Sequence, residues 1–280
     1  MSGLKKIILG ISDIKALFQS INKCYSIDFS NFAMSSFKFR VEEFMFNYRL
    51  SSIDDLIYKT EADRNFFQLL MNNLLVDTTE MFRDPDFWGF FKVQVLHRIN
   101  SNSGARIWIP ECNSGDELYT LKIILHELGL DGKFNIVVST LNKVNVERIS
   151  SACVDPKKME TNVANYERYL EEGKLLDYFS QKSNMYKLNY ELLEKVEIIE
   201  HNLFKDKIPS IFDIVLFRNK MLYYNPTLKI EALKIINSAL KPGGFLALGI
   251  KETCDYPGWE LEYDVINESE RIFKKILTKE

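Results

Sequence analysis

Residues 212–224 of the chain read FDIVLFRNKMLYY. The first six residues form a mostly apolar run of the kind that makes a buried strand, and the run stops at Arg218 and Asn219. In an open α/β sheet, ligands lie outside the carboxyl ends of the strands. The stretch therefore predicts a strand that carries polar groups to a binding site, with Tyr223 four residues beyond the asparagine.

The sequence around this stretch alternates between strand and helix patterns. Short apolar runs predict strands at residues 106–110, 134–139, 196–200, 213–217 and 245–250. The segments between them predict helices at residues 116–128, 143–151 and 227–240. Strands that alternate with helices indicate a parallel sheet covered on both faces. We therefore predict an α/β fold with a doubly wound, Rossmann-like sheet.

The N-terminal part of the chain has only helix patterns. Apolar residues recur at three- and four-residue steps within residues 12–18, 35–48 and 65–75, and Ser52 precedes a further helix as an N-cap. We predict a small all-α domain over residues 1–90 and the α/β domain over residues 91–280. Residues 152–195 are charged and irregular in pattern, and we expect them to form an insertion.

Composition narrows the class of protein. The 280 residues are 46% hydrophobic and 27% charged, as in ordinary globular proteins, and the net charge of −3 indicates no general attraction to nucleic acid or membranes. Apolar runs are too short to span a bilayer, and the N-terminus lacks a signal-peptide pattern, so a cytoplasmic location is expected. The four scattered cysteines predict free thiols and no metal site.

The first strand-to-helix junction of the α/β domain is a candidate cofactor loop. Residues 111–120 read ECNSGDELYT, and the small residues before and at Gly115 allow close backbone approach to a ligand. A single glycine does not make a dinucleotide motif. Asp116 and Glu117 would repel a pyrophosphate but suit a ligand that carries an ammonium group and ribose hydroxyls. The loop therefore favours a methionine-adenosine cofactor over NAD, with an ordinary capped helix start as the competing interpretation.

A second polar cluster lies at residues 76–85, which read VDTTEMFRDP. Thr79 and Arg83 are four residues apart, which predicts that they share one helical face. A guanidinium binds carboxylates in a bidentate fork, so Arg83 is a candidate carboxylate clamp. The competing interpretation is a surface salt bridge between Arg83 and Asp84 or Glu80.

Four motifs taken in order resemble the chemotaxis receptor glutamate methyltransferases, the CheR family. They are residues 78–85, 111–120, 201–203 (HNL) and 217–224 (FRNKMLYY). The resemblance extends over about residues 20–275, and the LKPGGFL turn at residues 240–246 fits it too. It implies S-adenosylmethionine as the cofactor, S-adenosylhomocysteine as the product, and glutamates in the cytoplasmic helical region of a chemoreceptor as the substrate. It implies no nucleic-acid partner and no membrane insertion, and it does not specify an oligomeric state.

The resemblance also implies roles for individual residues. Arg83 and Tyr223 correspond to the family's catalytic residues, with Tyr223 beside the transferred methyl group. Cofactor contacts are expected at Asp77, Thr79, Arg83, Gly115, Glu117, Asn202, Leu203, Arg218 and Asn219. For Asn202 the competing interpretation is a loop residue that caps a turn, and for Tyr223 it is an ordinary aromatic at the edge of the core.

The chain departs from the family at Asp77, where the family usually has asparagine, and within the 111–120 loop, and two further departures bear on activity. The family aspartate that binds the ribose hydroxyls is replaced by Thr140, a loss of about 1.5–3 kcal/mol, or roughly tenfold to a hundredfold in affinity; Glu111 is a candidate to compensate. An early helix that is rich in basic residues in the family keeps only Lys38 and Arg40 here. These departures favour a degenerate, methyltransferase-like binding module or scaffold, whereas the retained motifs favour an active enzyme. A small-molecule methyltransferase is a third hypothesis, which the helical front domain disfavours.

Overall fold

The structure is a computed structural model that describes residues 7–25, 27, 29–30, 34–74, 79–99, 104–182 and 185–277. The chain forms two compact units. The first comprises Met1–Val76 and Tyr223–Lys229, and the second comprises Asp77–Leu222 and Ile230–Glu280. The domain boundary that the sequence suggested at residue 90 stays a prediction. Within the described ranges, no helix is both long and apolar enough to cross a membrane.

The first unit is helical, as the sequence predicted. Its helices are α1 (Ile11–Tyr25), α2 (Met34–Asn47), α3 (Ile53–Ala62) and α4 (Arg64–Leu74). Ser52 is the predicted N-cap, and its hydroxyl accepts a hydrogen bond of 3.1 Å from the backbone N–H of Asp55. Phe18, Phe29 and Phe37 pack together in the core, with ring centroids 5.2–5.3 Å apart.

The two basic residues that remain on α2 both have partners inside this unit. Lys38 lies 3.8 Å from the carboxylate of Glu42, one helical turn away. Arg40 donates a hydrogen bond to the backbone carbonyl of Leu74. Cations that are already paired attract an acidic partner less, because the neighbouring carboxylate or carbonyl offsets their charge.

The second unit is built on two sheets. Its strands are β1 (Ala105–Ile109), β2 (Phe134–Thr140), β3 (Cys153–Val154), β4 (Phe179–Lys182), β5 (Met185–Leu188), β6 (Val196–Glu200), β7 (Phe212–Phe217), β8 (Leu240–Leu248), β9 (Tyr263–Asn267) and β10 (Ile272–Lys275). The main sheet has the order β6-β2-β1-β7-β8-β10-β9, and the small antiparallel sheet has the order β3-β5-β4. In the main sheet the first five strands run parallel, and β10 runs antiparallel to β8 and β9. The doubly wound α/β fold is thus confirmed.

The helices of the second unit precede β1 or lie between consecutive strands of the chain. They are α5 (Pro85–Phe91), α6 (His97–Ile99), α7 (Asp116–Glu127), α8 (Lys143–Ser150), α9 (Pro156–Tyr169) and α10 (Pro226–Ala239), the last of which continues from the first unit, and a π-helical stretch, Lys92–Leu96, joins α5 to α6. Residues 152–195 are more regular than the sequence suggested, since they contain the whole of α9 and the small sheet.

The strand order places one edge of the main sheet in position to bind a ligand. From β1 the chain moves outward through β2 to β6, then returns to β7 on the other side of β1. Such a reversal opens a crevice at the carboxyl ends of the two central strands. The segments that follow β1 and β7 therefore meet at this edge, and they include Glu117, Arg218 and Asn219.

Candidate functional site

The segment after β1 turns sharply before α7. Glu111 and Gly115 have positive φ angles of 52° and 88°, a conformation that glycine adopts without strain. A Cβ atom on Gly115 would lie 2.6 Å from Cζ of Tyr119, so the missing side chain makes room for the buried tyrosine ring. Gly115 therefore serves the packing of its own loop, and its contact with a cofactor stays a prediction.

Arg218 is the buried centre of an ion-pair network at this edge. Its side chain is 3% exposed, with Nη2 at 2.7 Å from Oδ2 of Asp84 and Nη1 at 3.6 Å from Oε1 of Glu117. The guanidinium carbon lies 3.8 Å from the ring centroid of Phe87, a stacked cation–π arrangement. Burial lowers the pKa of Arg218, and the carboxylates of Glu117 and Asp84 oppose this shift.

This geometry changes how Arg218 is interpreted. The sequence predicted a cofactor contact at this position, but the structure directs the guanidinium toward Asp84 and Glu117. A guanidinium that donates a hydrogen bond to a carboxylate fixes the position of that group, and Arg218 makes such a bond with Asp84. Arg218 thus anchors Asp84 and forms a longer ion pair with Glu117 at the start of α7, and any contact of its own with a cofactor stays a prediction.

A second charged cluster lies beside the first. The ammonium group of Lys158 donates to Oδ2 of Asp116 at 2.8 Å and to the carbonyl of Thr79 at 2.7 Å. The hydroxyl of Thr79 lies 3.0 Å from the hydroxyl of Ser114 and donates to Oδ2 of Asp116 at 3.2 Å. The side chain of Asp116 is 4% exposed, so Lys158 compensates the buried charge of its carboxylate.

Residues 79–84 form a turn, which corrects the prediction that Thr79 and Arg83 share a helical face. Helix α5 begins only at Pro85, and Phe82 and Asp84 have positive φ angles of 54° and 56°. We call residues 79–84 the 79–84 turn. Arg83 lies in it, 29% exposed, with Nη1 at 3.6 Å from Oε2 of Glu80. The competing interpretation for Arg83 was a surface salt bridge with Asp84 or Glu80. The distance between Arg83 and Glu80 is that of a salt bridge.

Glu252 is a buried carboxylate that the sequence analysis missed. It is 4% exposed and accepts hydrogen bonds of 2.7 Å from the backbone N–H groups of Asn219, Met221 and Gly249. Burial raises the pKa of Glu252, while the three backbone donors oppose the shift. Asn219 has a positive φ of 59°, and these bonds fix its backbone in that conformation.

Replacing Glu252 with glutamine is expected to destabilise the protein by about 1–3 kcal/mol, because the new NH₂ group would face a backbone donor and leave it unsatisfied. Chemical denaturation measures the change. Glu260 lies nearby on the chain and is exposed, so Glu260→Gln is a matched control that should leave the denaturation midpoint unchanged. Equal midpoints for both variants would show that the three bonds contribute nothing to stability.

The side chain of Thr140, the last residue of β2, forms hydrogen bonds within the protein. Its side chain is fully buried, and its hydroxyl donates to Oδ1 of Asn113 and accepts from Nδ2 of Asn145, both at 3.1 Å. Its carbonyl accepts a hydrogen bond of 2.8 Å from the backbone N–H of His201, which follows β6. The hydroxyl of Thr140 thus connects the end of β2 to the loop between β1 and α7 and stabilises that loop.

Asn202 and Leu203 follow β6 at the same edge of the sheet. The amide oxygen of Asn202 accepts from the backbone N–H of Phe204 at 3.0 Å, and the N–H of Asn202 donates to Oδ2 of Asp206 at 2.7 Å. With these two bonds Asn202 caps a turn, which was the competing interpretation for this residue. Leu203 is 2% exposed. Their contacts with a cofactor stay predictions.

The structure brings most of the predicted residues to one edge. Thr79, Glu117 and Arg218 belong to the two charged clusters, Arg83 lies in the turn between them, and Asn219 follows Arg218. Asp77 and the side chain of Tyr223 lie outside the described residues. Lys158 and Glu252 were not predicted.

The first turn of α7 determines which class of cofactor suits this edge. A phosphate-binding helix start presents its N–H groups to the anion and carries no acidic side chains there. Helix α7 instead begins with two buried carboxylates, Asp116 and Glu117. Carboxylates attract ammonium and sulfonium groups. Lys158 already pairs with Asp116, so Glu117 is the residue that fits the methionine half of S-adenosylmethionine.

Comparison with known proteins gives the family. Residues 77–264 match the family described as CheR methyltransferase, SAM binding domain. The chain is 26% identical over 263 residues to a protein of Pseudomonas putida named "Putative methyltransferase Cher3", a match that covers 94% of this chain and 96% of that protein. It is 28% identical over 225 residues to "Chemotaxis protein methyltransferase 1" of Pseudomonas aeruginosa, covering 77% and 81% of the two chains.

Solved methyltransferases show a weaker likeness. The glycopeptide N-methyltransferase MtfA, in complex with S-adenosylmethionine, gives a TM-score of 0.36 at 8% identity, covering 61% of this chain and 54% of that one. The chain thus spans about half of that structure. The family match covers more than half of the chain, and it includes both charged clusters and the segments that follow β1, β6 and β7. The chain belongs to the CheR methyltransferase family and contains its S-adenosylmethionine-binding domain.

Proposed function

We propose that this protein transfers a methyl group from S-adenosylmethionine to glutamate side chains in the cytoplasmic helical region of a chemoreceptor, and that it acts in the cytoplasm. The observation that carries the proposal is the position of the Arg83-bearing turn beside the acidic start of α7 at the cofactor edge. The name of the Pseudomonas aeruginosa relative, a chemotaxis protein methyltransferase, supports the chemoreceptor as substrate.

When bound, the cofactor supplies an electrophilic methyl group on a sulfonium, and a glutamate carboxylate, ionised at pH 7, attacks it without a base. The residues of the protein then bind and align. Glu117 would hold the cationic methionine half, and Asn219 and Asn202 would contribute the other polar contacts. Arg83 orients a carboxylate, and Tyr223 flanks the methyl group. Alignment and exclusion of water, and not proton transfer, account for the rate enhancement.

A degenerate binding module is the second candidate. The observations that favour it are the internally bonded hydroxyl of Thr140 and the internal partners of Lys38 and Arg40. A scaffold of this kind would hold the cofactor weakly and transfer no methyl group.

Transfer of labelled methyl groups from S-adenosylmethionine to a purified cytoplasmic fragment of a chemoreceptor from the same cell tests the proposal. We expect label that is released by mild base, as a glutamyl methyl ester is, and that is absent from a fragment with its methyl-accepting glutamates replaced by alanine. Base-stable label would indicate a different acceptor. Cofactor binding without transfer to any receptor fragment would instead indicate the scaffold.

A further inference from the structure

Helix α9 presents three polar side chains to the 79–84 turn. Lys158, Asn162 and Asn165 have the spacing i, i+4 and i+7, which places them on one face of the helix. Lys158 donates to the carbonyl of Thr79 at 2.7 Å. The backbone N–H of Met81 donates to Oδ1 of Asn162 at 2.9 Å, and Nδ2 of Asn165 donates to the carbonyl of Met81 at 3.0 Å.

All three contacts are directed at the backbone, and the two from the asparagines are buried. The side chains of Asn162 and Asn165 are 0% and 5% exposed. The neighbouring N–H of Phe82 donates to the hydroxyl of Thr120 on α7 at 2.9 Å, so the turn is bonded to two helices. Backbone partners of this kind determine the conformation of a turn whatever its own side chains prefer.

The turn needs external support. Phe82 and Asp84 both have positive φ angles, a conformation that costs non-glycine residues roughly 1–2 kcal/mol each. The described backbone bond across the turn, from the N–H of Arg83 to the carbonyl of Glu80, is long at 3.4 Å. Strained backbone persists only where its surroundings fix it, and such segments cluster at functional sites.

Lys158 differs from the two asparagines because it also carries charge. Its two contacts use two of the three N–H donors of the ammonium group, one on Thr79 and one on Asp116. Arg218 makes the matching connection at the other end of the turn, since it pairs Asp84 with Glu117. Each end of the turn is therefore tied by one cation to one of the two acidic residues that begin α7.

We propose that Lys158 is a positioning residue that acts through Arg83: with Asn162 and Asn165 it fixes the 79–84 turn against the cofactor loop, so that Arg83 reaches the bound cofactor. The inference rests on the proposed role of Arg83. Lys158 itself has no assigned contact with substrate.

Titration calorimetry with S-adenosylhomocysteine tests this on the full chain. Lys158→Met is expected to raise the Kd by about tenfold, since one charged contact to the turn is lost. Lys158→Arg, which keeps a cation, should recover most of the affinity. Lys157, the exposed neighbour on α9, provides the control, and Lys157→Met should bind as the wild type does. If Lys158→Met does not fold, Lys158→Gln retains an N–H donor without the charge and should weaken binding in the same direction.

A double-mutant cycle separates positioning from general destabilisation. If Lys158 acts through Arg83, Lys158→Met should have little further effect on the Kd in an Arg83→Ala background. Fully additive effects, or an unchanged Kd in the single variant while the wild type binds, would refute the inference and leave the proposed function intact. Failure of the wild type to bind S-adenosylhomocysteine would overturn both.

Discussion

Arg83→Ala is expected to lower methyl transfer by at least about a hundredfold while the protein keeps its fold, because misplacing a reacting group by about 1 Å already costs that much. Arg83 is part-exposed and its ion pair with Glu80 spans 3.6 Å, so its loss should change stability by less than about 1 kcal/mol. Initial rates of labelled methyl transfer, measured beside thermal denaturation, test both statements.

Arg98 provides a matched control for this substitution. It is exposed and bonds through Nη2 to Gln94 at 2.9 Å, one helical turn away, so it has a comparable surface contact but no place at the cofactor edge. Arg98→Ala should therefore transfer methyl groups at the wild-type rate. Wild-type turnover in Arg83→Ala would remove the clamp role that we assign to this residue.

Arg218→Met is expected to destabilise the second unit by about 3–5 kcal/mol, because it leaves the carboxylates of Asp84 and Glu117 without the cation that they share. The stacking of the guanidinium on Phe87 would be lost as well. The shift of the urea denaturation midpoint, followed by far-UV circular dichroism, measures the loss.

Two comparisons isolate the role of charge. Lys241 forms a 2.8 Å ion pair with Asp213 but is 45% exposed, so Lys241→Met should cost less than about 1 kcal/mol. A variant that combines Arg218→Met with Asp84→Asn and Glu117→Gln should recover much of the lost stability, since the two carboxylates paired with Arg218 are then neutral. Equal losses for Arg218→Met and Lys241→Met would contradict the buried network.

The sequence predicted the main sheet well because its signals are local. The apolar run before Arg218 and the acidic start of α7 at Asp116 are properties of a few adjacent residues, and the structure places the strand and the helix there. The prediction that Thr79 and Arg83 share a helical face was wrong because contacts from α9 and from Thr120 determine the backbone of their turn.

Helix α9 was missed for a related reason. Amphipathic helices are recognised by an apolar face that packs inward, whereas α9 buries Asn162 and Asn165 against the turn. The sequence does not indicate the role of Glu252, because its partners are backbone N–H groups, which nearly every residue has. Arg218 was predicted at the correct edge, but the direction of its guanidinium depends on Asp84 and Glu117, which lie far from it in the chain.

The central claim is that the segments after β1, β6 and β7 form one site for S-adenosylmethionine around the acidic start of α7. Titration calorimetry of the wild type and of Glu117→Gln with S-adenosylhomocysteine tests it most directly. We expect the wild type to bind one ligand per chain with a micromolar Kd, and Glu117→Gln to bind at least about tenfold more weakly, because a charged hydrogen-bond acceptor is lost. Absence of binding by the wild type at millimolar ligand, or equal affinities for the two proteins, would contradict the claim.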